Sequence, residues 1–168
     1  MKKKRMSSKA ALFTVQGALI AAIYVVLTLA FAPVAFGPVQ FRISEALVIL
    51  PYFTPAAVPG VFVGCLLSNI LGSGMMLDIV FGSLATLIGA VLSYLLRRHK
   101  FLVCIPPILS NVLIIPWVLR YAYGAPEMIP YLMLTVGIGE VLAIGGLGNI
   151  LLLALEKYRG VIFRTNAA

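Results

Sequence analysis

The chain has 168 residues, 62% of them hydrophobic and only 11% charged, with a formal net charge of +8 at pH 7. A soluble domain of this length needs more polar surface than these residues supply, so the composition excludes one. The positive charge does not point to nucleic acid either, because it is gathered at Lys2, Lys3, Lys4, Arg5 and Lys9, at Arg97, Arg98 and Lys100, and at Lys157, Arg159 and Arg164. Basic clusters flanking long apolar runs mark the cytoplasmic ends of membrane spans.

Residues 1–9 form a basic cytoplasmic N-terminus, and residues 10–41 then carry no charge. That run exceeds the roughly 20 apolar residues a helix needs to cross a bilayer, and it predicts a first span over 10–32. Ala30-Phe31-Ala32 imitates a signal-peptide cleavage site. The apolar run is longer than the roughly 7–15 residues of a signal core, and Pro33 follows directly, so the helix is read as retained. Ala18 and Ala22 give it an AxxxA face of the kind that lets another helix approach closely.

A second apolar segment, 42–53, opens with Arg42 and Glu45 one helical turn apart. As an α-helix it would measure about 18 Å, short of a core about 30 Å thick. Pro51, Pro55 and Pro59 argue against fusing it with the third segment, 55–71, because each removes a backbone donor and clashes with the preceding turn. The third segment holds Gly60, Gly64, Cys65 and, near its end, Asn69. The fourth, 78–96, opens at Asp78. The fifth, 101–119, contains Cys104 and Asn111, with Trp117, Arg120, Tyr121 and Tyr123 at its far end. The sixth, 130–155, carries Glu140 about ten residues in and is thinned by Gly137, Gly139, Gly145, Gly146 and Gly148. Residues 156–168 form a cytoplasmic tail.

Topology decides between five crossings and six. Six crossings put every basic cluster on the cytoplasmic side and leave only Arg42 and Arg120 outside. The expected fold is therefore an all-α integral membrane protein with six transmembrane helices, both termini cytoplasmic and the second helix short. Irregular backbone around such a short helix is tolerated at membrane depth only where protein or a water-filled cavity covers it. A cavity near Arg42 and Glu45 is expected.

On this topology Arg42, Glu45, Asn69, Asp78, Asn111 and Glu140 gather in the outer half of the bundle. Several have a plain structural explanation. Arg42 and Glu45 suit a helix-face ion pair. Asp78 suits a helix N-cap. Trp117, Tyr121 and Tyr123 suit an interfacial belt. Glu140 stands apart: a carboxylate near mid-membrane costs about 2.5–3.5 kcal/mol on insertion scales and calls for an interior partner, with Arg42 and Arg120 as structural options. No GxxxxGK[ST], HExxH or GxSxG motif occurs, and the single histidine, His99, falls in a basic loop. ATP hydrolysis by a phosphate-binding loop and the common hydrolase chemistries are excluded, and no enzyme is expected. Cys65 and Cys104 lack metal-type spacing and are read as buried free thiols, so neither a metal nor a cofactor is expected.

The strings FRISEALVILPYFTP, GCLLSNILGSG and LDIVFGSLATLIGA resemble the substrate-binding subunits of energy-coupling factor (ECF) transporters, and within them the queuosine precursor transporter (QueT) family. The resemblance runs over nearly the whole chain, although AxxxA alone is weak. It implies a plasma-membrane S component of bacterial type that binds a small metabolite from outside. Its partners would be a transmembrane coupling subunit, met through Ala18 and Ala22, and two cytoplasmic ATPases. The implied ligand is a 7-deazaguanine such as preQ1 or preQ0. Glu140 or Glu45 would accept its guanine-like edge, Asn69 and Asn111 would read the remaining polar atoms, Asp78 would take a cationic amine, and Trp117 or Tyr121 would stack on the ring. Arg42 would orient Glu45. An S component for another metabolite or vitamin and a ligand-free membrane scaffold are the alternatives.

Overall fold

The computed structural model describes residues 2–36 and 41–162; Arg164 and the end of the expected C-terminal tail lie outside them. The described residues contain helices and turns and no strand. The α-helices are α1 (Lys2–Ala30), α2 (Ala32–Ala35), α3 (Ala57–Gly72), α4 (Ser83–Leu95), α5 (Ile105–Tyr121), α6 (Ile129–Glu140), α7 (Asn149–Lys157) and α8 (Arg159–Ile162). A 3₁₀ helix, Ile43–Tyr52, lies between α2 and α3. A π-helical turn, Asp78–Gly82, leads into α4, and a longer one, Val141–Gly148, joins α6 to α7.

Four continuous helical stretches are long and apolar enough to cross a membrane: Ser8–Ala30, Asp78–Leu95, Leu102–Tyr121 and Ile129–Lys157. Ile43–Tyr52 and Ala57–Gly72 are apolar but shorter. Large apolar side chains such as Val15, Leu19, Val26, Leu113, Leu134 and Ile150 point outward, while Arg42, Glu45, Asn69, Asp78 and Glu140 are buried. That arrangement inverts a soluble protein, and with the composition it identifies an all-helical, multi-pass membrane protein.

The segment expected as a short α-helix over 42–53 is instead a 3₁₀ helix, entered by an i→i+3 bond from Glu45 N–H to the Arg42 carbonyl at 3.1 Å. Runs of this kind seldom exceed 3–4 residues, and at about 2.0 Å per residue these ten reach about 20 Å, where an α-helix would reach about 15 Å. The tighter winding stretches the segment further across the bundle. Its apolar side chains Val48 and Ile49 are fully buried and join Tyr24, Val61, Ile144 and Leu152 in the main core.

Glycines set the helix spacing around this core. A Cβ on Gly60 would lie 2.9 Å from the Gly17 carbonyl oxygen, and one on Gly64 would lie 2.7 Å from Tyr24 Cβ, so α3 packs backbone-close on α1. Gly89 meets Pro107 in the same way between α4 and α5. Gly148 lets the π-helical turn settle on Ile49 and the Ala46 carbonyl of the 3₁₀ helix.

Candidate functional site

The polar residues of the spans form a connected buried cluster at the end of the bundle where α1 and α3 finish and the Asp78–Gly82 turn begins. Arg42, at the entry to the 3₁₀ helix, donates from Nη2 to both Asp78 oxygens, at 3.0 and 3.3 Å. Its Nε donates to the Ala35 carbonyl at 3.3 Å, and its guanidinium lies 5.2 Å from the centre of the Phe36 ring. Tyr123, in the turn after α5, donates its hydroxyl to Asp78 Oδ2 at 2.9 Å. Partial burial, more than any neighbour, pushes the Tyr123 phenol up to about 12.

Asn69 continues the cluster inward from α3. Its amide donates to the Asp78 carbonyl at 3.1 Å and contacts Cys65 Sγ at 3.6 Å. Gly82 stands over this junction, since a Cβ there would fall 2.7 Å from Asp78 Oδ1 and 3.0 Å from Asn69 Nδ2. Thr86 of α4 places its hydroxyl 3.3 Å from Cys65 Sγ and 3.4 Å from Glu45 Oε1. The Tyr24 hydroxyl of α1 also donates to Glu45 Oε1. Beyond Glu45, Asn111 of α5 donates to Glu140 Oε1 at 2.8 Å and stands close enough to interact with Glu45 as well.

Each of the two glutamates is thus held by one oxygen, unlike Asp78, which is bonded through both. Glu45 Oε1 and Glu140 Oε1 are bonded, whereas Glu45 Oε2, Glu140 Oε2 and Asn69 Oδ1 are buried with no hydrogen-bond partner. All three are acceptors. Buried polar atoms are rarely left unsatisfied, and the cost of doing so rises as the dielectric falls. Such a set suits a ligand that presents several N–H donors along one edge, particularly a cationic one. The 3₁₀ helix and both π-helical turns border this cluster, carrying Glu45, carrying Asp78 and directly following Glu140. Non-α helical turns of this kind are frequent at functional sites. No group of three or more His, Cys, Asp or Glu able to hold a metal occurs among the described residues.

The structure brings together Arg42, Glu45, Asn69, Asp78, Asn111 and Glu140 and sorts their partners differently from the plain expectations. Arg42 makes its close ion pair with Asp78, not Glu45. Asp78 makes no N-cap bond, because its side chain is spent on Arg42 and Tyr123. Glu140 pairs with Asn111, while Arg120 turns away to the Ala125 and Glu127 carbonyls at 2.7 and 3.4 Å. Cys65 and Cys104 are buried free thiols as expected.

Trp117 and Tyr121 lie elsewhere. They stack on each other, with centroids 6.2 Å apart and planes 10° from parallel, and line an apolar cavity of about 480 Å³ with Leu77, Phe81 and Leu113. They are exposed, on a face of α5 turned away from Asn111. Ala18 and Ala22 are exposed on α1, and Ala18 lines an apolar groove of about 260 Å³ with Phe13, Gly60 and Val63.

Three cluster members were not singled out from sequence for this role. Tyr24 and Thr86 hold Glu45, and Tyr123 holds Asp78. The signal for Tyr24 was present: Gly17, Ala21, Tyr24 and Thr28 share one helical face, which reads as an inward stripe with polar members. Thr28 accordingly meets Ser44 of the 3₁₀ helix at 2.6 Å.

Comparison with known proteins agrees with this architecture. Over an 81-residue stretch the chain is 38% identical to a protein named Queuosine precursor transporter QueT from Lactococcus lactis subsp. cremoris. The stretch covers 47% of this chain and 47% of that protein, so the match spans about half the length of the curated relative. No solved structure matches the chain. The family described as QueT transporter, a transporter family and not an enzyme family, matches residues 14–157, and the chain belongs to it.

Proposed function

We propose that this chain is the substrate-binding subunit of an ECF-type importer that takes up a queuosine precursor, a 7-deazaguanine such as preQ1 or preQ0, across a bacterial plasma membrane. The observation that carries the reading is the set of buried, unpartnered acceptors: Glu45 Oε2, Glu140 Oε2 and Asn69 Oδ1. A 7-deazaguanine offers adjacent N–H donors on its pyrimidine edge, which a carboxylate accepts in a two-pronged arrangement. The name of the Lactococcus relative points to the same class of compound.

In this reading the chain crosses the membrane six times, with both termini cytoplasmic and the polar cluster in the outer half. Glu140 and Glu45 grip the ligand, while Asn69 and Asn111 read its remaining polar atoms. Arg42 and Asp78, with Tyr123, close the outer end. Because Arg42 engages both Asp78 oxygens, the glutamate pair is the better acceptor for an aminomethyl cation. Trp117 and Tyr121 anchor the bundle at the interface. In this reading energy comes from two separate cytoplasmic ATPases, a division of labour that the lack of a phosphate-binding loop in this sequence fits. These act through a membrane coupling subunit docked on the exposed Ala18–Ala22 face of α1.

Thermal stability of the purified protein with preQ1, preQ0, guanine and a vitamin panel tests this function. A ligand at 100 times its dissociation constant stabilises the folded state by about 2.7 kcal/mol. The expected result is a shift with a deazaguanine. A shift with a vitamin alone would discard the substrate, and no shift with any ligand would leave a scaffold role.

A further inference from the structure

Glu45 of the 3₁₀ helix and Glu140 at the end of α6 both neighbour Asn111 of α5, which donates to Glu140 Oε1 at 2.8 Å. Both are almost fully buried, at 1% and 4% exposure, and each has an oxygen with no partner. Charge in the cluster does not balance. It holds the carboxylates Glu45, Glu140 and Asp78 against one cation, Arg42, whose Nη2 is already committed to Asp78 at 3.0 Å. The titratable groups around the pair are Tyr24 of α1 and Cys65 of α3, neither of which supplies positive charge, and Arg42, whose charge reaches both carboxylates while its Nη2 pairs with Asp78. Thr86 and Asn111 complete the surroundings and are neutral. Two carboxylates sharing a dry site do not both ionise unless a cation joins them.

We propose that the empty site carries one proton shared by Glu45 and Glu140, and that a monocationic ligand binds in exchange for it. This rests on the ligand reading of the same site given above. The proton passes to bulk solvent as the ligand's ammonium group arrives, so the charge buried in the cluster is unchanged by binding. Tyr24 and Thr86 on Glu45 Oε1, and Asn111 on Glu140 Oε1, leave each carboxylate one unbonded oxygen with which to take the proton or, in the complex, to meet the ligand. The site thereby favours an aminomethyl congener over a neutral nitrile. It also lets acid loosen the ligand: below the titration of the pair, apparent affinity falls about tenfold per pH unit, the reciprocal of one proton released per ligand bound.

Calorimetric titration of the full chain with 7-aminomethyl-7-deazaguanine, at one pH in two buffers of different protonation enthalpy, reads the exchange directly. The expected result is about one proton released per amine bound and none with 7-cyano-7-deazaguanine. In Glu140→Gln the same charge balance leaves no proton for the site to hold, so any residual amine binding is expected to release none. An amine that binds with the same heat in both buffers overturns the proposal. Infrared spectra of the empty protein give a second reading that needs no ligand. A protonated-carboxyl band is expected in the native protein and should vanish in both Glu45→Gln and Glu140→Gln; its absence from the native protein also overturns the proposal. Binding by neither congener, with the band present, removes the substrate assignment and leaves the shared proton standing.

Discussion

Replacing Asp78 with Asn should destabilise the protein far more than a surface change would. Asp78 is fully buried and Arg42 is 5% exposed, so solvent cannot take over the charge that is left. The substitution keeps the side-chain size but strands the Arg42 guanidinium, and breaking one partner of a buried pair costs about 3–5 kcal/mol. Tyr123 would lose a charged acceptor at the same atom, adding about 1 kcal/mol. Arg42→Met should cost a similar amount by stranding Asp78. The double variant, Arg42→Met with Asp78→Leu, should cost less than the sum of the two single changes, because neither charge is then left alone. Denaturant unfolding in mixed micelles, followed by circular dichroism, supplies the three free energies. Single variants within about 1 kcal/mol of the native protein would refute the reasoning, since such values belong to exposed pairs. So would strictly additive effects.

Gly82→Ala should abolish high-affinity ligand binding and cost about 1–3 kcal/mol by overpacking, because its Cβ would fall 2.7 Å from Asp78 Oδ1; a binding isotherm with the unfolding curve checks it. Ala18→Trp with Ala22→Trp should leave the ligand dissociation constant unchanged in the isolated subunit and stop uptake in cells carrying the coupling subunit and ATPases. Tyr123, whose phenol is pushed up to about 12 from an ordinary value of about 10, favours the folded state below pH about 10 and loses that contribution as pH rises through about 12. Ultraviolet titration of Tyr123→Phe should therefore show one late tyrosinate fewer than the native protein, and the stability difference between the two proteins should shrink over that window.

Much of the architecture was legible because the lipid environment imposes a simple code. Uncharged runs and proline positions pointed to an all-helical chain, as the described residues are, although α1 begins at Lys2 and the last segment winds as α6, a π-helical turn and α7. The buried polar residues were legible for the same reason: Glu140 and Asp78 stand out in an apolar sequence because burying them is costly. What sequence could not supply was pairing. Arg42 and Glu45 sit one turn apart, yet the 3₁₀ winding and the approach of the Asp78 turn give Arg42 a closer partner 36 residues away. Tyr24 escaped notice because a tyrosine within a span carries no charge, and its bond to Glu45 depends on the close packing of α1 against α3 and the 3₁₀ helix. Trp117 and Tyr121 were ambiguous between ligand stacking and an interfacial belt, since both uses call for the same residues. Helix rotation, which leaves them exposed while Asn111 is buried, depends on how α5 packs against its neighbours, as at the close approach of Gly89 to Pro107, and not on composition.

The central claim is that the ligand is held by the buried carboxylates and not by the apolar cavity beside Trp117. Equilibrium dialysis of radiolabelled 7-aminomethyl-7-deazaguanine against the native protein, Glu140→Gln and Trp117→Phe tests it most directly. A hydrogen bond to a charged group is worth about 1.5–3 kcal/mol, so Glu140→Gln should weaken binding by about tenfold or more while Trp117→Phe changes it by less than about twofold. Retained affinity in Glu140→Gln together with loss in Trp117→Phe would contradict the account and move the ligand to the other side of α5.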